Sequence, residues 1–392
     1  MEQVFEHKKY CTGCGVCAKK CPQAAIVLKP DLMGFLYPHI DSVKCVDCGL
    51  CRTVCHMLMP ISDEGKTEQI FALKSKNATV LQTSQSGGAF AEMAKCVLST
   101  GGVVYGASFD AQFFVKHIRV SNESELHKLQ GSKYVQSETT EIFSLVKSDL
   151  DKGVEVLFSG TPCQVAALNS FLTKPYEKLC TVDVVCHGIM PPKLWGDYMA
   201  YVSGKYGTFT HANFRDKAVS GWRVQYESFT INGERKVFDT YKRLFYSNYF
   251  LRDACYKPEV QRIICKYGGM VRCSDLTIGD FWGIEKTESN IPDENTGISL
   301  CLVNSSKGAQ LIGKISDRVF LEKHSEAEIT PRNPHLQDGD VYLPLKAEQA
   351  RNEYIKHGFI YVAKKYAEAG LKGDIIKVLR RVKHGLKAIL NH

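Results

Sequence analysis

The sequence contains no uninterrupted run of about eighteen apolar residues, the length that a membrane-spanning helix needs. Residues 1–10 are polar and lack the apolar segment of a secretory signal. Low-complexity tracts are also missing, and 44% of the 392 residues are hydrophobic, so the chain can bury a substantial core. We therefore expect a folded, soluble, cytoplasmic protein without a transmembrane segment.

Net positive charge is small outside the C-terminal end of the chain. The net charge is +8, and residues 371–392 supply +5 of it. Motifs typical of RNA or DNA binding do not appear, so we expect no nucleic-acid partner. Residues 331–392 have a helical pattern, and 371–392 predict a basic amphipathic helix. Two interpretations stay open for that helix: weak peripheral membrane contact, and packing of its apolar stripe on the protein body.

Cysteine is the residue that the sequence has in excess. Sixteen are present, and eight of them precede residue 56. Because no export signal is present, clustered cysteines are expected to bind metal rather than to form disulfides. The eight form two runs of identical spacing, Cys11, Cys14, Cys17 and Cys21, and Cys45, Cys48, Cys51 and Cys55.

This spacing is the ligand pattern of bacterial ferredoxins, in which the fourth cysteine of each run ligates the cluster of the other run. We therefore predict a domain with two 4Fe–4S clusters over residues 1–60. The predicted ligand sets are Cys11, Cys14, Cys17 and Cys55, and Cys45, Cys48, Cys51 and Cys21. Structural zinc is the competing interpretation, but zinc sites typically use two C-x-x-C pairs. The second run lacks the usual proline after its last cysteine, because His56 stands there.

Strand-like and helix-like patterns alternate from residue 68 onward. Apolar runs at 70–74, 103–109 and 115–120 predict strands, and 87–98 and 138–150 predict helices. The pair Asn232 and Gly233 predicts a type I′ hairpin turn. Alternation of this kind indicates an α+β protein with a mixed α/β core.

Three loops of the body carry residues that suit cofactor binding. Residues 84–88 are glycine-rich and open a helix, whose positive end favours a phosphate. Residues 160–163 have the same strand-loop-helix form, and residues 131–134 combine a flexible turn with a hydroxyl, a cation and an aromatic ring. Taken one at a time, each loop also fits an ordinary surface turn.

Six short motifs follow one another in the body. They are Ser86-Gly87-Gly88, Gly131-Ser132-Lys133-Tyr134-Val135-Gln136-Ser137, Gly160-Thr161-Pro162-Cys163-Gln164, Cys186-His187-Gly188, Phe214-Arg215-Asp216-Lys217 and Thr277-Ile278-Gly279-Asp280-Phe281-Trp282-Gly283. In this order the chain resembles the coenzyme F-420 hydrogenase/dehydrogenase beta-subunit family, in which an N-terminal ferredoxin domain is a common fusion. The resemblance implies a beta-subunit N-terminal domain over 68–150 and a C-terminal domain over 151–320.

The resemblance also implies a flavin, usually FAD, in the core. A flavin converts between the one-electron chemistry of clusters and the two-electron chemistry of an organic acceptor. The flavin-site residues of the family fall here on Ser86, Gly87, Gly88, Gly131, Ser132, Lys133, Tyr134, Gly160, Thr161, Pro162 and Gln164. We expect Lys133 to face the flavin phosphates or ring edge, and we take it as a candidate catalytic residue.

A third 4Fe–4S cluster is implied in the core, since members of the family carry one. Its expected ligands are Cys163, Cys186, Cys255 and Cys265, with Cys273 as a substitute ligand. The spacing between Cys255 and Cys265 departs from the family pattern. The alternative to a third cluster is therefore a disrupted site whose cysteines are buried or free thiols. His187 follows a ligand position and is a candidate proton relay, although hydrogen-bonding support of the ligand is the simpler role.

The resulting prediction is an iron–sulfur flavoprotein oxidoreductase. Its clusters would exchange electrons with a flavin that reduces or oxidises coenzyme F-420 or another small organic acceptor. An electron-donor protein or a partner redox subunit is the expected partner. The alternative is a non-catalytic subunit that transfers electrons within a larger redox complex.

Overall fold

The computed structural model describes residues 4–5, 8–60, 67–256, 265–337 and 344–368. The predicted amphipathic helix over 371–392 lies outside these ranges. Within them, every helix is too short or too polar to cross a membrane.

The N-terminal head, residues 8–60, has the same local geometry in both cysteine runs. Its elements are α1 (Val16–Lys19), β1 (Ile26–Pro30), β2 (Leu36–Ile40) and α2 (Leu50–Thr53). Gly15 precedes α1 with a φ of 81°, and Gly49 precedes α2 with a φ of 73°. These left-handed conformations suit glycine, and they wind each run into a tight loop. The strands β1 and β2 pair antiparallel between the two runs.

The strands of the core follow the head. They are β3 (Gln69–Ser75), β4 (Val103–Phe109), β5 (Val115–Val120), β6 (Val156–Gly160), β7 (Leu179–Val184), β8 (Phe209–Asn213), β9 (Glu227–Ile231), β10 (Glu234–Phe238), β11 (Leu276–Asp280), β12 (Ser299–Val303) and β13 (Val319–His324). Among the described strands, eight form one sheet in the order β13-β3-β12-β11-β7-β6-β4-β5. The neighbours β11, β7, β6 and β4 run parallel, and antiparallel strands flank them on both sides. Strands β10, β9 and β8 form a separate antiparallel sheet.

Helices cover both faces of the large sheet. The core helices are α3 (Ala78–Thr83), α4 (Ala89–Ser99), α5 (Ile142–Asp151), α6 (Pro162–Leu172), α7 (Pro192–Tyr206), α8 (Lys217–Ser220), α9 (Thr240–Tyr246), α10 (Ser306–Ile315), α11 (Glu326–Ile329) and α12 (Ala347–Val362). Short 3-10 turns lie at Lys8–Tyr10, Glu123–Lys128, Asp253–Cys255, Ile284–Lys286, Thr330–Arg332 and Pro334–Leu336, and a π-helical turn at Ala363–Glu368. Side chains alternate along each strand, so Val104 packs toward α4 and α10 while Val103 and Tyr105 pack toward α5 and α6. The head packs against α7, α12 and the small sheet.

Several predicted elements agree with the structure, and one is displaced. Strands β4 and β5 have the predicted bounds. The predicted turn is confirmed, since Asn232 and Gly233 have φ values of 53° and 80° between β9 and β10. The helix predicted from residue 138 was wrong in its start, because it begins at Ile142. Glu138 instead pairs through its backbone with β5, where His117 N donates to Glu138 O at 2.9 Å.

Candidate functional site

A cavity of about 560 Å³ lies at the carboxyl ends of the parallel strands. Each strand contributes to its lining, with Ala107 in β4, Gly160 at the end of β6, Cys186 just after β7 and Asp280 at the end of β11. In open α/β sheets, ligands bind outside the carboxyl ends of the strands. The volume also falls within the usual range of small-molecule sites, about 300–1,000 Å³. We therefore take this cavity as the candidate cofactor and substrate site.

All three loops that were predicted to bind a cofactor border this cavity. The predicted residues among its lining are Ser86, Gly88, Gly131, Ser132, Lys133, Tyr134, Gly160, Thr161 and Gln164. Gly87 and Pro162 do not line it. A Cβ at Gly87 would meet the backbone oxygen of Leu73 at 2.3 Å, so this glycine serves close packing against β3. Pro162 borders a second, smaller cavity.

The loop before α4 presents donors that suit an anion. Gly88 has a φ of 88°, and α4 begins at the next residue. The first amide groups of a helix lack intrahelical partners and carry partial positive charge. Ser84 lines the cavity, and its buried Oγ has no hydrogen-bond partner within the described structure. A cofactor phosphate would satisfy these donors, so the loop fits the group that was predicted for it.

Lys133 lies in the second loop, where its amine is held by the loop itself. Its Nζ donates to the carbonyl oxygens of Gln130 at 2.8 Å and Lys128 at 3.2 Å. Burial lowers the pKa of Lys133 to about 7. A Cβ at Gly131, which has a φ of 81°, would meet no atom within 4 Å, so open space lies beside the turn. The loop thus offers a partly neutral amine at the border of the cavity.

His187 lies in a chain of polar side chains between the large and the small cavity, and it lines both. Its Nε2 lies 2.7 Å from Oδ1 of Asn248, and its Nδ1 lies 2.6 Å from Nε2 of His335. The ring also packs on Phe245, with 4.9 Å between ring centres. Sequence reasoning missed His335, because this histidine lies outside the six motifs and no local pattern marks it. Both imidazoles border the cavity, so they can orient a bound molecule.

The structure brings the first predicted ligand set together in the head. Burial, with further contributions from Cys11 and Cys55, raises the pKa of Cys14 to about 12. Burial also raises the pKa of Cys17, with further contributions from Cys14, Cys11 and Cys55. We call Cys11, Cys14, Cys17 and Cys55 the inner group. Cys14 lines the large cavity, so the inner group borders the candidate cofactor site.

The second predicted ligand set lies farther out. Burial raises the pKa of Cys51, and Cys45 and Cys48 add to the effect as neighbouring thiols. Cys48 is exposed, whereas the other two are half-buried. We call Cys45, Cys48 and Cys51 the outer group. Cys21, the predicted fourth ligand, is half-buried and its Sγ accepts a hydrogen bond from the backbone of Ala25 at 3.3 Å.

A third set of thiols meets in the core despite the altered spacing. Burial raises the pKa of Cys163 and of Cys186 to about 12 each, and Cys265 contributes to both shifts. Burial raises the pKa of Cys255, with contributions from the other three. We call Cys163, Cys186, Cys255 and Cys265 the core group, and all four line the small cavity of about 40 Å³. The substitute ligand Cys273 is engaged elsewhere, since its thiol donates to the carbonyl oxygen of Pro162 at 3.3 Å.

The thiol groups fit clusters better than single ions. In the part of the chain that the structure describes, no three histidine, cysteine or acidic side chains converge closely enough to hold one metal ion. Zinc would need its four ligands around one centre, whereas a cubane spreads four thiolates over four irons. The raised pKa values mean that these buried thiols would deprotonate only beside strong positive charge, which bound iron supplies.

His56, which replaces the usual proline, joins the head to the core. Its Nδ1 lies 2.6 Å from the hydroxyl of Tyr267, and its Nε2 lies 3.2 Å from Oγ1 of Thr12. Tyr267 borders the small cavity of the core group. The departure from the ferredoxin pattern at this position therefore serves the interface between the inner group and the core group.

Sequence reasoning also missed the roles of two buried arginines. Arg215 lines the large cavity and pairs with Asp280, with 2.5 Å between Nη1 and Oδ2. Arg252 is fully buried and donates from Nε to the carbonyl oxygen of Cys11 at 2.7 Å. Arg215 stands in one of the six motifs and could have been selected there, whereas nothing in the local sequence marks Arg252.

In comparisons with known proteins, two parts of the chain match family models. Residues 153–328 match the family model for the C terminus of the beta subunit of coenzyme F-420 hydrogenase/dehydrogenase, and residues 10–57 match the 4Fe–4S dicluster domain. A chain of the xenon-derivatised F-420-reducing NiFe hydrogenase complex from Methanosarcina barkeri aligns with 15% identity and a TM-score of 0.45. That alignment covers 79% of this chain and 94% of the other. The comparison with curated proteins gave no match.

Proposed function

Because residues 153–328 belong to the C-terminal domain family of coenzyme F-420 hydrogenase/dehydrogenase beta subunits and residues 10–57 to the 4Fe–4S dicluster domains, we propose that this chain is a flavin-dependent iron–sulfur oxidoreductase. The family resemblance seen in the sequence is thereby confirmed. The chain is an iron–sulfur redox protein of an oxidoreductase family. The flavin and the organic acceptor, coenzyme F-420 or another small molecule, are the proposed parts.

One observation carries the proposal. The large cavity is bordered both by the three predicted flavin loops and by cysteines of two thiol groups, Cys14 of the inner group and Cys163 and Cys186 of the core group. A cofactor in this cavity would therefore lie beside both groups. A structural role for the thiols alone would leave the cavity and its unpaired donors unexplained.

The chain offers distinct surfaces for the two ends of a flavin nucleotide. The start of α4, with Ser84 and Gly88, would hold a phosphate, and Tyr134 stacks on Phe245 at 4.4 Å to give the cavity a flat aromatic wall. When bound, a flavin supplies conversion between one-electron and two-electron transfer. The protein would orient it and supplies Lys133 and His187 at the border of the cavity.

We also propose that the core group holds a third 4Fe–4S cluster. The four thiols line one small cavity. Cys273 does not line this cavity, and its thiol donates a hydrogen bond to the carbonyl oxygen of Pro162 instead. The long spacing between Cys255 and Cys265 is then an insertion between two ligands, and most of it, residues 257–264, lies outside the described residues.

The outer group is the proposed entry point for electrons from a donor protein or a partner redox subunit. Cys48 is exposed, and Val43 and Val46 beside it are 94% and 62% exposed. Apolar side chains around an exposed cluster ligand suit a transient protein contact. The inner group lies between this surface and the cavity, so the head forms a route from the surface inward.

Turnover by the isolated chain tests the proposal. The chain would be purified without oxygen, incubated with FAD and reduced with a reduced ferredoxin, while coenzyme F-420 and a panel of carbonyl and alkene acceptors are offered. We expect one acceptor to be reduced catalytically, and Cys45→Ser to slow that turnover because it removes a ligand of the outer group. Cys301→Ser, a buried thiol in β12, is the matched control. Failure with every acceptor would favour the non-catalytic electron-transfer subunit instead.

A further inference from the structure

Arg215 is held rigidly at the border of the large cavity. Its Nη1 donates to Oδ2 of Asp280 at 2.5 Å, and the other carboxylate oxygen accepts from the indole of Trp222 at 2.6 Å. Trp222 stacks on Trp282 with 4.9 Å between ring centres and 2° between planes. The guanidinium of Arg215 lies 5.7 Å from the ring centre of Trp282. One side of the guanidinium is therefore fixed by the protein.

The other side of the same guanidinium has no partner. Its Nε and Nη2 are buried and make no hydrogen bond within the described structure, although the side chain is only 5% exposed. A buried donor without a partner is unfavourable, above all on a charged group, so a ligand that accepts from these two nitrogens is expected here. Nε and Nη2 present parallel N–H bonds, the geometry that matches two oxygens of a carboxylate or phosphate.

The charge of the cavity lining favours the same kind of ligand. Among the described residues that line it, Asp280 is the only carboxylate, and Arg215 and Trp222 already occupy it. Arg332 adds a cationic group at the exposed rim of the lining. An anionic ligand would therefore meet positive charge without a competing free carboxylate.

We propose that Arg215 binds a carboxylate or phosphate group of the small-molecule acceptor through Nε and Nη2, so that the acceptor is an organic anion. This inference rests on the proposed function, because it names the class of acceptor for the same cavity. Asp280 is a positioning residue in this arrangement, since it fixes the guanidinium and touches no acceptor. The flat rings of Trp282 and Tyr246, which also line the cavity, would pack on the organic part of the anion.

Calorimetric titration tests the assignment without turnover. The probes are benzoate, inorganic phosphate and the neutral benzamide, each titrated into FAD-loaded and flavin-free protein. We expect saturable binding of benzoate or of phosphate, and no binding of benzamide. Benzoate alone would indicate a carboxylate acceptor, and phosphate alone a phosphorylated one. The variant Arg215→Lys keeps the charge and the pairing with Asp280 but loses the parallel donors, so affinity should fall about 10- to 100-fold.

Arg318→Gln is the matched control, because it removes an exposed arginine that does not line the cavity. Its affinity for the anion should stay within about twofold of wild type. Equal affinity of wild type and Arg215→Lys for both anions would overturn the proposal. A fall in FAD affinity with unchanged anion binding would also overturn it, since the donors would then hold the flavin. If wild type binds no FAD, the proposed function fails, while the flavin-free titration still decides the role of Arg215.

Discussion

Arg252 and Cys11 connect the two halves of the molecule, with 2.7 Å between Nε of the arginine and the carbonyl oxygen of the cysteine. The same guanidinium donates to Oε1 of Gln136 at 2.8 Å and to the carbonyl oxygen of Leu36 at 2.7 Å. The side chain is fully buried, and all three acceptors are neutral. Among the described residues, then, no carboxylate is bonded to this positive charge, which lies next to the inner group.

Replacing this charge should change the redox properties of the head. A buried cation favours the more negative, reduced form of a nearby cluster, so Arg252→Met should lower the reduction potential of the inner cluster. The variant should also lose on the order of 3 kcal/mol of unfolding free energy, because three buried acceptors lose their donor. The reduction potential of the inner cluster is measured by redox titration, with electron paramagnetic resonance as the readout. Arg351→Met, which removes hydrogen bonds to the carbonyl oxygens of Tyr249 and Leu251, is the control for the loss of stability. An unchanged reduction potential of the inner cluster in Arg252→Met would contradict the placement of this cluster beside Arg252.

Loss of one core thiol should remove one cluster. Cys265→Ser should lower the iron content by about four per chain, since a 4Fe–4S cluster needs its thiolate ligands. Cys273→Ser should leave the iron content unchanged, because that thiol lies outside the small cavity and is hydrogen-bonded to the carbonyl oxygen of Pro162. Iron and acid-labile sulfide are measured on both variants after anaerobic purification. The reverse pattern would show that Cys273 is the ligand.

Lys133 should react as an amine near neutral pH. The neutral amine is the nucleophile, so acetylation by acetic anhydride should rise as the pH passes through about 7, where the pKa of Lys133 lies in the folded protein. Because this value is below the unfolded one, protonation of Lys133 opposes folding, and its contribution to stability falls as the pH drops from about 10 toward 7. Mass spectrometry after labelling at a series of pH values gives the titration curve. The unfolded chain is the control, and a midpoint near 10 in the folded protein would contradict this environment.

Glu227 should make stability depend on pH. Burial raises the pKa of Glu227 from 4.5 to about 7. Hydrogen bonds from the backbones of Tyr241 and Lys242 and from the hydroxyl of Tyr198 act in the opposite direction, but their effect is smaller. Between these values the folded state keeps a proton that the unfolded state loses, so the contribution of Glu227 is complete below pH 4.5 and declines as the pH rises toward 7. The loss amounts to about 3 kcal/mol by pH 8. Denaturant unfolding of wild type and Glu227→Gln at about pH 5.5 and 8 measures it, and equal pH dependence in the two proteins would refute the prediction.

The sequence predicted best what local spacing determines. The cysteine runs specify which thiols meet, since a tight loop brings three of them to one place and the fourth comes from the paired run. The turn at Asn232 and Gly233 follows from the positive φ that both residues adopt. The glycine-rich start of α4 is local in the same sense, and the structure places it on the cavity.

Relationships between distant residues could not be read in this way. His335 meets His187 across 148 residues, and Arg252 meets Cys11 across 241 residues. Such pairs depend on how segments far apart in the sequence pack together, and no periodicity or motif records that arrangement. The helix start at Ile142 was misplaced for a related reason, because pairing of Glu138 with β5 overrides its local helical preference.

The cofactor content of the purified protein shows whether the three thiol groups hold clusters and whether the large cavity holds a flavin. Iron, acid-labile sulfide and released flavin would be determined per chain after anaerobic purification and incubation with excess FAD. We expect about twelve irons, about twelve sulfides and about one FAD per chain, which corresponds to clusters on the inner, outer and core groups and a flavin in the large cavity. About eight irons without flavin would contradict it, because the cavity and the core group would then serve no redox cofactor and the chain would be an electron-transfer subunit.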